Sequence, residues 1–370
     1  MAKNKISDRV NNLIQIQQEY WSKRKEREFT AGEKEAYRTL IDIEKVYKRT
    51  ILQIEREINM FYGKYAKKEN ITLEEARQQL NRHELKSFNE YIQELIELHS
   101  KEITEDELNK LKILRAKARI SRLDELQASI EYELDKMTKL TGDEIEKYLS
   151  QTFEEGYYTA AYDMDQYVAR SISFNRLAPN QVKAALNTKY LASNFSSSLW
   201  TNSKKLMIIL NQEIPRGLAL GYNPRKLANL VSKKIQSNYN STVRLVRTEY
   251  NRILNEATSE GYKACGVSEY KILATLDNRT SEICQEMDGE IFNLNDREIG
   301  VNYPPFHPNC RTTTIPYFEP DEIDEEYGGV GTRLAKDDNG NYYEVPADVT
   351  YKEWKSHLKE DSKGRVRYIP

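Results

Sequence analysis

Hydrophobic residues recur every three or four positions along much of the first half of the chain, which is the spacing of one helix face. A strict seven-residue repeat is not sustained, so the pattern favours a bundle or hairpins over a parallel coiled-coil rod. No proline precedes Pro179, so long helices can continue without interruption. The clearest stripe lies between residues 106 and 139 and consists of Leu108, Leu111, Leu114, Ala118, Leu123, Leu126, Ile130, Leu134 and Met137.

Four sequences of the form Thr-x-x-Glu in this half are typical of a first helical turn. In such a capping box the hydroxyl accepts from the amide three residues on, and the carboxylate bonds back to the capping residue. We therefore expect helices to begin near these positions. The pairs are Thr30 with Glu33, Thr72 with Glu75, Thr104 with Glu107 and Thr141 with Glu144.

Further helices are predicted between residues 153 and 252. Pro179 and Pro224 each fit a first helical turn, where the missing amide hydrogen costs nothing. Gly217 and Gly221 indicate a break before the second of these helices. The serine-rich segment 193–198 is a candidate joint or cap.

After Gly266 the pattern changes to alternation, which predicts a small mixed region. Asp338-Asn339-Gly340 predicts a tight turn between two further strands, after a glycine-rich linker. Thr350 is expected to cap a short helix that carries Trp354. The expected strands are 270–274, 290–292, 311–317 and a hairpin from Arg333 to Val345.

Together these patterns predict a mainly α protein, in which a long-helix N-terminal bundle or set of hairpins precedes a small α+β C-terminal core domain. We divide the chain into a long-helix region, a helical and basic middle region, an α+β core, and an acidic tail with a hairpin and short helix. The corresponding ranges are 1–150, 151–240, 241–320 and 321–370.

Charge is distributed unevenly, although the net charge is only −2. Residues 183–252 carry twelve Lys and Arg against two acids, whereas residues 321–370 carry twelve acids against eight bases. The basic stretch suits non-specific double-stranded DNA or an acidic partner, although acids of the same chain can also neutralise it. The best candidates for phosphate or partner contact are Lys204, Lys205, Lys233 and Lys234.

Composition excludes several classes of protein. Hydrophobic residues make up 39% and charged residues 31%, which is typical of a soluble, helix-rich protein. We expect no membrane association, because there is neither a long apolar run nor a secretory signal. Three cysteines do not form a disulfide scaffold, which fits synthesis in a reducing cytoplasm. No phosphate-binding loop is present, so ATP-driven packaging is not expected.

Candidate chemistry is concentrated between Leu276 and Thr314. Cys284, His307 and Cys310 are soft or borderline metal ligands. They can hold a structural zinc, form a Cys284–Cys310 disulfide, or remain a buried thiol pair with His307 bonded to backbone. The candidate fourth ligands for zinc are Asp277, Asp288 and Cys265.

Enzyme activity is not expected from these residues. His307 and Cys310 are too close in sequence to form the usual nucleophile and base without a special turn. A metal-dependent nuclease would show more carboxylate and histidine partners. Asp277 and Arg279 are instead expected to form a structural polar network, with Asp277, Asp288 or Glu249 as partners of the arginine. Arg244, Arg247 and Arg252 share a helix with Glu249 that either docks on the core or contacts phosphate.

Three motifs in order resemble the phage minor head protein family, also called the Mu F-like head morphogenesis family. The resemblance covers roughly residues 240–318, and the tail from Val345 to Lys355 resembles an ending common among such proteins. Ser281 and Thr312 depart from the pattern, since many relatives have cysteine there. The matching residues are Arg247, Thr248 and Glu249, then Asp277, Arg279, Thr280, Cys284, Gly289 and Phe292, then Pro304, Pro305, His307, Pro308, Cys310 and Arg311.

The resemblance implies a minor capsid protein of the virion. Such a protein associates with the portal, enters the procapsid in few copies after synthesis in the host cytoplasm, and acts in head assembly or DNA ejection. Scaffold or major capsid protein and double-stranded DNA are further implied partners, and the expected position is the capsid interior near the portal. The alternatives are a metal-dependent nuclease or toxin-like effector built on the His307/Cys310 turn, and a purely structural capsid linker. The implied structural core motif is Arg247, Glu249, Asp277, Arg279, Thr280, Cys284, Gly289, Pro305, His307, Cys310 and Arg311.

Overall fold

The protein is mainly helical, with a few short strands towards its C-terminus, which confirms the predicted fold class. A computed structural model describes residues 2–68, 122–168, 176–190, 193–318, 332–337, 342–346, 349–360 and 366–368. No helix in these segments is apolar over a length sufficient to cross a lipid bilayer. Five helices precede the first strand: α1 Ala2–Lys68, α2 Arg122–Val168, α3 Pro179–Asn187, α4 Phe195–Ala219 and α5 Pro224–Ala264.

Two predicted helix starts are confirmed, because α3 begins at Pro179 and α5 at Pro224. The side-chain oxygen of Asn223 accepts from the Lys226 amide at 2.8 Å and so satisfies one free donor of the first turn of α5. Helix α4 continues through Gly217, so the predicted break lies only at Gly221, whose φ is +69°. The glycine at position 217 serves packing, because a β-carbon there would lie 2.9 Å from the Leu227 side chain.

Two of the predicted capping boxes are wrong. Thr30 lies inside α1 and Thr141 lies inside α2, so neither begins a helix. The Thr-x-x-Glu pattern also fits a helix interior, where packing of the apolar face outweighs a local capping preference. The pairs at Thr72 and Thr104 lie outside the described residues.

A three-stranded antiparallel sheet follows α5, as the alternating pattern predicts. Its strands are β1 (Glu269–Leu273), β2 (Ile291–Asn293) and β3 (Thr313–Tyr317), arranged in the order β2, β1, β3. Tyr270 of the central strand pairs with Phe292 on one side and Pro316 on the other. A short helix, α6 (Glu282–Met287), and a 3₁₀ turn (Leu294–Asp296) complete this region.

The last described segments form a hairpin and a capped helix, both as predicted. The Thr350 hydroxyl accepts from the Glu353 amide, and the Glu353 carboxylate accepts from the Thr350 amide at 2.8 Å. This reciprocal capping begins the short helix that carries the buried Trp354. The predicted turn at 338–340 and the glycine linker lie outside the described residues. The elements are β4 Thr332–Lys336, β5 Tyr342–Pro346, α7 Tyr351–Ser356, β6 Leu358–Glu360 and β7 Val366–Tyr368.

The chain forms two compact units, each with its own apolar core. The first comprises Met1–Thr39, Glu146–Phe195 and Arg244–Pro370, and the second comprises Leu40–Ile145 and Ser196–Val243. The four ranges proposed from the sequence divide the chain by pattern and stay a prediction. In the second unit the described part of the predicted apolar stripe is buried, namely Leu123, Leu126, Ile130, Leu134 and Met137.

Within the first unit, α2 and α5 approach closely along a seam of small residues. A β-carbon at Gly261 would lie 2.7 Å from the Ala160 β-carbon and 3.0 Å from the Tyr157 carbonyl oxygen. A β-carbon at Gly156 would lie 3.0 Å from the Ala257 β-carbon. The two backbones can therefore pack at this distance only because Gly156 and Gly261 carry no β-carbon.

We predict that Gly261→Ala destabilises the protein by about 1–3 kcal/mol, because the added methyl group forces the helices apart. The matched control is Gly63→Ala on α1, where a new β-carbon meets nothing within 4 Å. That substitution should raise stability by up to about 1 kcal/mol, since alanine favours helix. Thermal unfolding followed by circular dichroism measures the stability of both variants. Equal stabilities would contradict the close packing of α2 and α5 at Gly261.

Candidate functional site

The three chemistry-bearing residues come together beside the C-terminal sheet. Cys284 lies on α6, and His307 and Cys310 lie on the turn that precedes β3. Both sulfurs are buried in the core of the first unit, while the His307 ring is half-buried. The turn follows a cis peptide bond between Pro304 and Pro305.

A tight turn brings His307 and Cys310 to the same side of the backbone. The Cys310 amide donates to the His307 carbonyl oxygen at 3.1 Å, and Asn309 has a left-handed φ of +61°. Asparagine tolerates this conformation better than most residues. The Asn309 amide donates to the Thr248 hydroxyl of α5 at 2.9 Å, which fixes the turn to the helix. This is the special turn that the short spacing requires.

The cluster is compact. The two sulfurs are 3.7 Å apart, and the His307 Nε2 atom lies 3.3 Å from the Cys284 sulfur. The Ser281 hydroxyl lies 2.8 Å from the same Nε2 atom. On the other side of the ring, Nδ1 donates to the Pro308 carbonyl oxygen at 2.8 Å. The ring is therefore held from both nitrogens.

The pKa values of the two thiols shift in opposite directions. Hydrogen bonding with Cys284 and with His307 lowers the pKa of Cys310 despite its burial. The same thiol–thiol contact and burial raise the pKa of Cys284 well above its usual range. The contact with Cys310 also raises the pKa of His307. The directions of these shifts make Cys310, rather than Cys284, the thiol of the pair that loses its proton first.

Both positions that depart from the family pattern contact this cluster. Ser281 reaches His307, and the hydroxyls of Ser281 and Thr312 both hydrogen-bond with the Cys284 sulfur. Among the described residues, the group of His, Cys and acidic side chains close enough to hold a metal consists of Cys284, His307 and Cys310, whose ligand atoms all lie within 4.8 Å. None of the fourth ligands considered from the sequence, Asp277, Asp288 or Cys265, belongs to it.

Asp277 is the centre of a separate polar network. Arg311 binds its two carboxylate oxygens at 2.5 and 2.7 Å, which is the bidentate geometry of a strong ion pair. The Arg279 amide and the Thr280 hydroxyl donate to the same carboxylate. The side chain of Arg279 is 74% exposed and lies 3.8 Å away. The sequence predicted a network here but missed Arg311 as the principal partner.

Burial by itself would raise the pKa of Asp277, but the Arg311 guanidinium and the other donors outweigh it and hold the pKa below its ordinary value of 3.8. A carboxylate whose pKa is lowered by folding stabilises the protein fully at pH values above its unfolded pKa. This contribution is lost as the pH falls below about 4 and through the folded value.

Asp288 connects two parts of the chain that are far apart in sequence. One carboxylate oxygen accepts from the Ala274 amide and the other from the Tyr351 amide, each at 2.7 Å. The C-terminal helix α7 is thereby fixed to the end of β1. The Tyr351 hydroxyl adds a 3.0 Å bond to the Asp277 carbonyl oxygen. Sequence reasoning treated Asp288 as a candidate metal ligand or partner of Arg279 and missed this role.

The arginines of α5 divide into two groups. Arg244 and Arg247 are exposed, whereas Arg252 is fully buried, bonded to Glu249 at 2.8 Å and to the Ala185 carbonyl oxygen at 3.0 Å. These contacts of Arg252 are with its own helix and with α3, so docking of the arginines on the C-terminal core stays a prediction. Burial raises the pKa of Glu249 more than this partner lowers it.

Two asparagines of α5, which the sequence did not single out, bind the backbone just before β3. The side-chain amide of Asn251 donates to the Thr312 carbonyl oxygen at 2.9 Å, and the side-chain amide of Asn255 donates to the same oxygen at 3.3 Å. The side-chain oxygen of Asn255 also accepts from the Thr313 hydroxyl, and its main-chain carbonyl oxygen accepts from the Tyr303 hydroxyl at 2.6 Å. Asparagine within a helix gives no local signal of such contacts.

The four candidate contact lysines lie on α4 and α5 in the second unit. Lys205 and Lys233 are exposed, while Lys204 and Lys234 are half-buried. The Lys234 ammonium lies 3.9 Å from Glu213, so part of the charge is balanced within this unit. Their role in binding DNA or a partner stays a prediction.

Comparison with known families now confirms the resemblance. Residues 209–315 match the model of the family described as phage Mu protein F like protein. This region, under a third of the chain, extends from α4 to β3 and contains both α5 and the Cys/His cluster. Over these residues the chain is similar to the Mu F-like head morphogenesis family, as the sequence motifs predict. The family suggests a structural protein of the phage head. Searches of curated proteins and of solved structures found no match.

We predict that Asp277→Asn lowers the free energy of unfolding at neutral pH by about 2–4 kcal/mol, because Arg311 loses its charged partner. The matched control is Arg279→Ala, which removes an exposed neighbour of the same carboxylate and should cost at most about 0.5 kcal/mol. Chemical denaturation between pH 7 and pH 3 measures both. The difference in free energy of unfolding between wild type and Asp277→Asn should decrease below about pH 4. A difference that does not depend on pH would contradict the ion pair.

Proposed function

We propose that this chain is a minor head protein that binds the portal and acts in head assembly or DNA ejection from the capsid interior. The observation that carries this proposal is the family match over residues 209–315. The structure supports the proposal, because the matched region contains both α5 and the residues before and at the start of β3, Thr312 and Thr313, that asparagines of α5 bind. These bonds fix the helix and the sheet to each other as one module. A protein built in this way can anchor a long helical unit to a particle without catalysing a reaction.

The nuclease or toxin-like alternative gains no support from the cluster geometry. A nuclease centre of the divalent-metal type needs oxygen ligands, chiefly carboxylates. Asp277 is occupied by Arg311, and Asp288 is occupied by two backbone amides. In the part of the chain that the structure describes, no carboxylate joins Cys284, His307 and Cys310. The head-protein proposal is therefore preferred.

For the portal contact we propose the face of α4 that combines charge with exposed apolar surface. Lys205, Ile208 and Ile209 follow the spacing of one helix face, and the two isoleucines are 37% and 38% exposed. Exposed branched apolar residues beside a cation fit a partner that is apolar at its centre and acidic at its rim. A surface with this composition suits a protein partner better than nucleic acid alone.

We predict that the chain co-purifies with the portal protein encoded in the same genome when the two are co-expressed. The double substitution Ile208→Asp with Ile209→Asp should abolish co-elution, because it places two charges at the centre of the contact. The matched control is Ile283→Asp, which alters an isoleucine of α6 that is 39% exposed and should leave co-elution intact. Size-exclusion chromatography measures this. Failure of the wild-type chain to bind would overturn portal association, and binding by the α4 variant would overturn this surface.

We also predict weak, sequence-independent binding to double-stranded DNA through the exposed lysines. Lys205→Ala with Lys233→Ala should weaken a gel shift and reduce the slope of log affinity against log salt by about two. The control, Lys352→Ala with Lys355→Ala, removes two exposed charges from α7 and should leave binding unchanged. Equal loss in both variants would show that net charge alone governs binding. Plasmid cleavage that requires divalent metal would instead favour the nuclease.

A further inference from the structure

The spacing of the Cys284, His307 and Cys310 donor atoms is close to that of a zinc coordination shell. With Zn–S distances of about 2.3 Å and a Zn–N distance of about 2.05 Å, a tetrahedral site has a sulfur–sulfur edge of about 3.8 Å and a sulfur–nitrogen edge of about 3.6 Å. The corresponding separations here are 3.7 Å and 3.3 Å. These two edges differ from the tetrahedral values by a few tenths of an ångström, and the ligand atoms of all three residues lie within 4.8 Å of one another.

The orientation of the His307 ring provides a second, independent observation. A carbonyl oxygen can only accept, so the 2.8 Å contact with Pro308 requires the proton to be on Nδ1. In the neutral ring this leaves the lone pair on Nε2, which is the nitrogen that lies against Cys284 and Ser281. Histidine ligands of metals are held in this way, with the second nitrogen donating to a backbone carbonyl or a carboxylate.

We propose that Cys284 Sγ, His307 Nε2 and Cys310 Sγ bind one thiophilic divalent cation, for which zinc is the best fit. The Ser281 hydroxyl lies 2.8 Å from Nε2 and so adjoins the fourth position. Two sulfurs and one imidazole exclude magnesium and calcium, which prefer oxygen ligands. The ion links α6 to the turn before β3, so its role is structural. The inference concerns the cluster alone and is independent of portal binding.

The first test measures metal content in the intact chain. Protein purified from zinc-supplemented medium and dialysed against metal-free buffer should contain close to one zinc per chain by mass spectrometry of the element. Cys284→Ser and Cys310→Ser should each lower zinc affinity by at least about 100-fold, because a thiolate ligand is lost. The matched control is Cys265→Ser, which removes the half-buried third cysteine outside the cluster and should retain full zinc content. Absence of zinc from the wild-type chain would overturn the proposal. Full zinc content in Cys284→Ser or in Cys310→Ser would also overturn it.

A second test does not depend on variants that are impaired in folding. In the wild-type chain, zinc should protect Cys284 and Cys310 from alkylation under native conditions by more than about tenfold, while Cys265 reacts at the same rate with and without the metal. Peptide mass spectrometry identifies each site. Equal protection of all three thiols, or a Cys284–Cys310 disulfide in protein prepared without oxidant, would contradict a metal site.

A gain of affinity provides the third test. Ser281→Cys places a third thiolate beside Nε2, as the fourth ligand, and should tighten zinc binding by about tenfold or more, measured by competition with a zinc-sensitive chelating dye. Co²⁺ in this variant should show the visible absorption typical of tetrahedral thiolate coordination. The matched control is Ser268→Cys, which adds a thiol at an exposed position just before β1 and should leave affinity unchanged. Equal affinities of wild type and Ser281→Cys would show that Ser281 does not adjoin the metal.

Discussion

The C-terminal core is held in place by the buried polar side chains of a single helix. Asn251 and Asn255 of α5 bind the carbonyl oxygen of Thr312 and the Thr313 hydroxyl, and both asparagines are fully buried. An amide buried without partners costs several kilocalories per mole, so helix and backbone must keep one fixed register. An apolar face would tolerate a small rotation of α5, whereas these paired amides do not.

This constraint explains why three motifs widely separated in sequence act as one structural unit. Thr248 of the first motif accepts from Asn309, which sets the turn that carries His307 and Cys310. The second motif supplies Asp277, which binds Arg311 immediately after that turn. The cluster geometry thus depends on a helix that begins more than eighty residues earlier. The conformation of the turn follows from long-range hydrogen bonds as well as from its local sequence.

The sequence predicted those features that depend on neighbouring residues. Proline at a first helical turn located the starts of α3 and α5, and the Thr350–Glu353 pair located α7, because each effect acts within one turn of helix. The same reasoning failed at Thr30 and Thr141, where packing along an uninterrupted helix decides the outcome. It identified the Cys/His cluster and the Asp277 network, but missed Arg311 as the ion-pair partner and the asparagines of α5. Nothing local in the sequence distinguishes an arginine or asparagine that will meet a partner from a distant element.

The two hydrogen bonds that the Asp288 carboxylate accepts have a consequence for folding during synthesis. Its carboxylate gives one oxygen to an amide at the end of β1 and the other to the first amide of α7, sixty-three residues later. A nascent chain that has not yet emerged as far as Tyr351 must leave the second of these bonds unmade. The hairpin and α7 also bury Leu276, Ala335 and Trp354 together, so the last residues finish the interior of the core. A stop codon between Tyr317 and Tyr351 would accordingly act as a folding defect, even though it spares every residue of the Cys/His cluster.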